Sequence, residues 1–234
     1  MELRALAFDV FGTVVDWRTS VMREVEAAAS RHGVSRDWAA FADGWRQRYQ
    51  PSLERVRTGA IGWSVLDDLH RWSLDELLQE FGLEMLDEAE RQHLNQAWHR
   101  LQPWPDSAAG LGRLRSRFIV TTLSNGNFAL LVDLARAGRL PFDCILSAEL
   151  CQAYKPDPRT YRMVPALLRI EPEQAMMVAA HQDDLLAAAA EGLRTAFVRR
   201  PLEWGPQAGE AEAVAEEIEL VADDFLDLAR QLGA

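Results

Sequence analysis

Much of what would point this chain toward a membrane, a polyanion or a secreted scaffold is missing. Its 234 residues include two cysteines, Cys144 and Cys151. They lack C-x-x-C spacing and are too few for a disulfide framework, so both are expected to be reduced thiols. No apolar run approaches the roughly 20 residues that span a bilayer. The opening "MELRALAFDV" has an apolar segment of strand length with no small-residue cleavage site, so a cytoplasmic location is expected. Basic residues are the minority, 25 against 36 acidic ones, for a formal charge of −11. That balance argues against nucleic-acid or membrane partners, and a small anionic substrate would need a local positive pocket. Histidine is scarce as well, five in all. His181 and Asp184 have no further ligand at suitable spacing, so no metal site is expected.

A more local absence lies in "LAFDVFGTVVDW", residues 6–17. The apolar run ends on Asp9, the chain breaks at Gly12-Thr13, and the position two residues after Asp9 holds Phe11 rather than a second carboxylate. A lone acid at a strand end is often only a cap or turn former. Its meaning depends on what else reaches that end of the sheet.

With 48% hydrophobic residues the chain can bury a sizeable core. Short apolar runs at 3–8, 117–123, 143–147, 175–180 and 195–198 read as strands of a parallel sheet covered on both faces, with helical patterns between them. The fold class is therefore α/β. Residues 18–100 show no strand pattern. They read as amphipathic helices over 20–33, 37–56, 63–72, 73–82 and 89–101, carrying most of the tryptophans. This interval is expected to be a helical cap inserted into an α/β core formed by 1–17 and 101–234. Pro103 and Pro105 stop its last helix. The acidic stretch 209–224 reads as a solvated face near a final short element.

In open α/β sheets ligands bind beyond the carboxyl ends of the strands. Those positions hold Asp9, Val10, Phe11, Gly12 and Thr13 after the first run, and Ser124 and Asn125 after the second. Lys155 follows the third run within "YKPDPRTY", and His181 and Asp184 follow the fourth within "HQDD". Each has a structural reading: Ser124-Asn125-Gly126 as a turn, Lys155 as a loop lysine, Asp184 as a helix cap.

Taken together and in this order, the four groups resemble the motifs of the haloacid dehalogenase superfamily. "FDVFGT", "LSNGN" at 123–127 and the cap "WRQ" at 45–47 are similar to the L-2-haloacid dehalogenases. The resemblance implies a Rossmann-like parallel sheet with a helical cap, and hydrolysis of small 2-haloalkanoic acids through an aspartyl ester. It casts Asp9 as nucleophile, Thr13 and Ser124 as hydrogen-bond donors to it, and Lys155 as the resident cation. Asp184 is cast as acting with Lys155 on the hydrolytic water, and Arg46 with Asn125 as the halide cradle. Val10, Phe11, Tyr161 and His181 would line the substrate site, with Trp45 and Tyr49 as apolar walls. Backbone N–H groups from Phe11 to Thr13 would serve as anion donors. No cofactor and no metal are implied, and related enzymes suggest a homodimer.

The resemblance also explains Phe11. Phosphatases of the superfamily carry an acid there to protonate an alkoxide leaving group, and a halide needs no such proton. Where better-known relatives have asparagine and an aromatic, this chain has His181 and Asp183. Position 181 is expected either to tighten the halide pocket or to orient Asp9 or Asp184, and Asp183 to turn outward or pair with His181. The competing readings are a magnesium-dependent phosphatase of the same superfamily and a catalytically silent binding protein.

Overall fold

The structure is a computed structural model and describes residues 1–206 and 213–234. The chain forms two compact units, Met1–Asp16 with Gln102–Ala234, and Trp17–Leu101. It runs from β1 (Ala5–Phe8) through β2 (Val15–Asp16) into α1 (Trp17–Ser30), α2 (Trp38–Gln47), α3 (Tyr49–Arg57), α4 (Leu66–Glu80) and α5 (Glu88–Asn95). Then come β3 (Gln102–Pro103), α6 (Ser107–Leu114), β4 (Ile119–Thr122), α7 (Phe128–Ala137) and α8 (Pro158–Leu168). The chain closes with β5 (Ala175–Ala179), α9 (Gln182–Ala190), β6 (Arg194–Val198), β7 (Leu220–Ala222) and α10 (Phe225–Gln231).

In the first unit the sheet order is β4-β1-β5-β6-β7. All four pairings are parallel, with Phe8 level with Thr122 on one side and Val178 on the other. Every residue of β1 and β5 is buried. Unbroken apolar runs, rather than alternating ones, are what a sheet covered on both faces selects. Each fully buried side chain such as Phe8 or Leu6 contributes about 1.5–3 kcal/mol of transfer free energy. Because β1 lies between β4 and β5, the loops after all three strands open at one end of the sheet.

Two details depart from the sequence pattern. The run at 143–147 forms only isolated bridges, Thr121 to Cys144 and Ser124 to Ser147. Side chains replace the ladder there: Thr121 and Thr122 hydroxyls donate to the carbonyls of Cys144 and Leu146, and the Asp143 carboxylate accepts from Val120 N. The acidic stretch contributes a strand, since Leu220–Ala222 pairs with β6 at the sheet edge. Its portion 209–212 lies outside the described residues.

The helical unit is built around Trp17, Trp45 and Trp98, all buried, with Trp45 and Trp98 rings edge to face at 5.5 Å. The expected helix over 37–56 breaks at Arg48, whose N–H turns back to Trp45 and Arg46 carbonyls. The break places Pro51 in the first turn of α3, where its missing N–H leaves no internal bond unmade. The segments expected at 63–72 and 73–82 are one helix, α4, because nothing at Trp72-Ser73 interrupts the ladder. His70 is buried in α4, its ring stacked on Trp98 at 4.3 Å.

Candidate active site

Asp9 extends the β1 ladder, donating its N–H to the Val178 carbonyl, and the residue is 9% exposed. The chain then turns tightly: Val14 and Val15 N–H groups return to the Val10 carbonyl, with Gly12 at φ 82°. The turn aims the Thr13 hydroxyl at Asp9 Oδ2, 2.9 Å away. Thr13 Oγ1 also accepts from Ala180 N, so its proton is directed onto the carboxylate.

The other carboxylate oxygen faces Lys155. Lys155 Nζ lies 3.4 Å from Asp9 Oδ1 and 2.6 Å from Asp184 Oδ2. The Lys155 loop is pinned by its backbone N–H to Asn125 Oδ1 at 2.8 Å, and Asp157 then caps α8. Asp184 sits in the first turn of α9 and also accepts from the Tyr161 hydroxyl at 2.7 Å. Burial opposes the charge on Asp9, yet Lys155, His181 and Thr13 overcome it and hold the carboxyl far below the usual range. Burial and the nearby Asp9 charge push Asp184 upward against the pull of Lys155. Burial and Asp184 raise the Tyr161 hydroxyl, which stays protonated as a donor.

A third partner reaches Asp9 from the end of β5. His181 Nδ1 is 3.2 Å from Asp9 Oδ2, and its Nε2 is 3.0 Å from Glu203 Oε1. Burial favours the neutral ring, but Glu203 and Asp9 outweigh it and raise His181 to about 10. With a carboxylate against each nitrogen and its pKa raised, the ring donates from both sides as an imidazolium. Glu203 is 4% exposed and packs against Gly12 so closely that a Cβ there would collide with its carboxylate.

Glu203 and Arg200 were not foreseen from the sequence. Arg200 donates to the Thr13 carbonyl at 2.8 Å and clasps Asp106 with both terminal nitrogens. Both residues lie in "RRPLEWG", just after β6. Extending the strand-end rule to this fifth strand would have found them.

Several expected roles are differently filled. Ser124 has no hydrogen bond to Asp9; its hydroxyl accepts from Gly126 N and shapes the loop after β4. Gly12 N–H is spent on the Val15 carbonyl, so it is not an anion donor. The Tyr161 hydroxyl is committed to Asp184. His181 has no N–H left for a halide, because both ring nitrogens are engaged by carboxylates. Asp183 is exposed, and the carboxylate paired with His181 is that of Glu203. Val10 and Phe11 are buried beside Asp9, and Asn125 presents an amide NH2 not used in holding Lys155.

In the helical unit, Arg46 lies over the Tyr49 ring at 4.4 Å and the Trp17 ring at 5.6 Å. Its Nη1 is buried without a hydrogen-bond partner, and among the described residues no carboxylate pairs with it. Its neighbour Arg48 instead bonds Gly44 O and the Glu80 carboxylate. Trp45 belongs to the core of this unit, donating to the His70 carbonyl.

The family model for haloacid dehalogenase-like hydrolases matches residues 3–192. The chain belongs to this family. Among similar proteins, (S)-2-haloacid dehalogenase 1 of Pseudomonas sp. (strain CBS-3) is 32% identical over 92% of this chain and 94% of the relative. The crystal structure of an L-2-haloacid dehalogenase shares 47% identity and a TM-score of 0.94, covering 99% of each chain. That of a defluorinating L-2-haloacid dehalogenase shares 44% identity and a TM-score of 0.95, covering 99% of this chain and 96% of that one. Among the described residues of this haloacid dehalogenase-like hydrolase, no three His, Cys, Asp or Glu side chains are gathered to hold a metal ion. The Lys155 ammonium lies against both Asp9 and Asp184.

Proposed function

We propose that the protein is a hydrolytic dehalogenase of small 2-haloalkanoic acids, haloacetates and L-2-haloacids, working through an ester on Asp9. The observation that carries this reading is a buried, ionised Asp9 held by Lys155, with Phe11 where a general acid would serve a phosphate ester. The similarity to named L-2-haloacid dehalogenases supports the substrate class.

The Asp9 carboxylate attacks the halogen-bearing carbon from the face opposite the halogen. The new C–O bond forms as the carbon–halogen bond breaks, and the halide departs with the electron pair. Arg46 and the Asn125 amide are assigned to the halide by the motif resemblance; an Arg46 Nη1 without a protein partner is consistent with that role. Water then attacks Asp9 Cγ and gives its proton to Asp184, whose raised pKa suits a base beside Lys155. Collapse restores Asp9 and frees the 2-hydroxy acid. One displacement at carbon gives one inversion, so an L-2-haloacid yields the D-2-hydroxy acid.

The test is halide and phosphate release measured side by side, with and without chelator. Substrates are chloroacetate, fluoroacetate, both enantiomers of 2-chloropropionate and a small phosphate ester. Fluoroacetate is included because one similar structure is that of a defluorinating enzyme. Halide release from the L enantiomer and the haloacetates, unaffected by chelator, is expected. Phosphate release that needs magnesium, with no halide, would transfer the assignment to the phosphatase reading.

A further inference from the structure

The two oxygens of Asp9 are solvated differently by the protein. Oδ2 accepts from the Thr13 hydroxyl at 2.9 Å and from His181 Nδ1 at 3.2 Å, whereas among the described residues Oδ1 accepts from Lys155 Nζ alone, at 3.4 Å. An oxygen holding two hydrogen bonds is the poorer nucleophile, so attack falls to Oδ1 and Oδ2 becomes the carbonyl oxygen of the ester. When water adds to Cγ, negative charge collects on that same Oδ2.

We propose that His181, held by Glu203 across its far nitrogen, is the oxyanion donor for hydrolysis of the Asp9 ester, with Thr13 as the second donor. The proposal rests on the dehalogenase reading and adds to it a catalytic residue, His181, and a positioning residue, Glu203. Donors already in place on the oxygen where charge develops need no reorganisation in the step. The water oxygen forms its bond to Cγ, and the C=O π pair moves to Oδ2 against the His181 and Thr13 protons. The pair then returns as the Cγ–O bond to the alkyl carbon breaks. The proton removed from water passes through Asp184 to the departing alkoxide, and the second water proton leaves from the regenerated Asp9 carboxyl.

Glu203 keeps the imidazole charged when Asp9 becomes a neutral ester and stops supporting it. The charged groups around the ring are Asp9 and Glu203 in contact, the Lys155 and Asp184 pair beyond Asp9 Oδ1, and Arg200 paired with Asp106 behind Thr13. Gly12 belongs to the same device, since any side chain there would displace the Glu203 carboxylate.

The test is rapid-quench kinetics on chloroacetate with intact-protein mass spectrometry, for the wild type, Glu203→Gln and His181→Gln. In the variants the first-turnover halide burst is expected to stay within about threefold of wild type. Steady-state turnover should fall by about tenfold or more, and the alkylated enzyme should accumulate. The alkaline limb of kcat should move to lower pH in Glu203→Gln. If Glu203→Gln does not fold, His181→Gln carries the same comparison. A burst and a steady state that fall together with no alkylated enzyme, or an unmoved alkaline limb, would overturn the role of the pair. Absence of any halide burst in the wild type would instead contradict the dehalogenase reading itself.

Discussion

The buried groups around Asp9 in the α/β unit and those around Arg46 and His70 in the helical unit are handled in opposite ways. Around Asp9 the buried charges are paired through a continuous series: Tyr161 to Asp184 to Lys155 to Asp9 to His181 to Glu203. In the helical unit, Arg46 Nη1 and both nitrogens of His70 are buried with no hydrogen-bond partner. Burial lowers His70 to about 3, so its ring is neutral and its charge plays no part. A closed series fixes each group before substrate arrives, which is what preorganised charge stabilisation needs. An orphan guanidinium N–H costs free energy until something accepts from it, which marks Arg46 as the group with unused binding capacity. On the proposed function, the contrast separates where bonds change from where the halide is held.

The sharpest break of this comparison is at the nucleophile. Asp9→Asn, checked by mass for deamidation, is expected to lose turnover by about a thousandfold or more, since an amide cannot attack as an anion. The protein should remain folded, because the amide has the size and shape of the carboxylate it replaces.

Next is the cation that joins two carboxylates. Lys155→Met leaves Asp9 and Asp184 buried against each other, and should cut turnover by about a hundredfold or more. It should also destabilise the protein by about 3–5 kcal/mol in denaturant titration at neutral pH. Near-normal activity in that variant would mean the series around Asp9 is structural only.

Arg46→Lys sharpens the other side. A point charge cannot reproduce the planar guanidinium over Tyr49, and kcat/KM for chloroacetate should drop by about tenfold with unfolding unchanged. An unaffected kcat/KM would leave Arg46 as a packing residue.

Stability against pH then separates the units again. His181 has its folded pKa raised from 6.5 to about 10. The stability it supplies is therefore fully present below pH 6.5 and is lost as pH rises to about 10. Denaturant midpoints should decline across that window in the wild type and flatten in His181→Gln. The smallest effect is expected at His70→Leu, within about 1 kcal/mol of wild type and with full activity, because the lost stacking on Trp98 is offset by removing two unsatisfied nitrogens.

How far the sequence discloses this arrangement depends on whether a residue follows an apolar run. Asp9 and Asp184 are legible because each stands near the end of a run buried on both faces, and a polar residue there stands out. Lys155 follows a run that forms only isolated bridges, and it is legible through its place in the order of the four groups. Glu203 and Arg200 are hidden in a charged loop after β6 that looks like solvated surface. Their roles appear only when Arg200 folds back onto Thr13 and Glu203 onto Gly12. His181 is visible as a departure from its relatives, but which way its ring faces depends on Glu203, a partner 22 residues away.

The helical unit shows the same limit at larger scale. Its tryptophan-rich helices read clearly, while the break at Arg48 does not, because a single 3₁₀-like turn hardly disturbs the hydrophobic period. β7 is masked by the acidic residues around it, and the 143–147 run by threonine hydroxyls that take its carbonyls. Non-local partners decide each of these cases, and local pattern carries no record of them.

The central claim is that Asp9 forms a covalent ester that water opens at Cγ. A single turnover of L-2-chloropropionate in heavy-oxygen water, with enzyme in excess, tests it directly by mass analysis of the peptide holding Asp9 and of the product. The account predicts one heavy oxygen in Asp9 and none in the first-formed hydroxy acid, with label reaching product only in later turnovers. Heavy oxygen in the product of the first turnover, with Asp9 unlabelled, would show that water attacks the substrate directly and would contradict it.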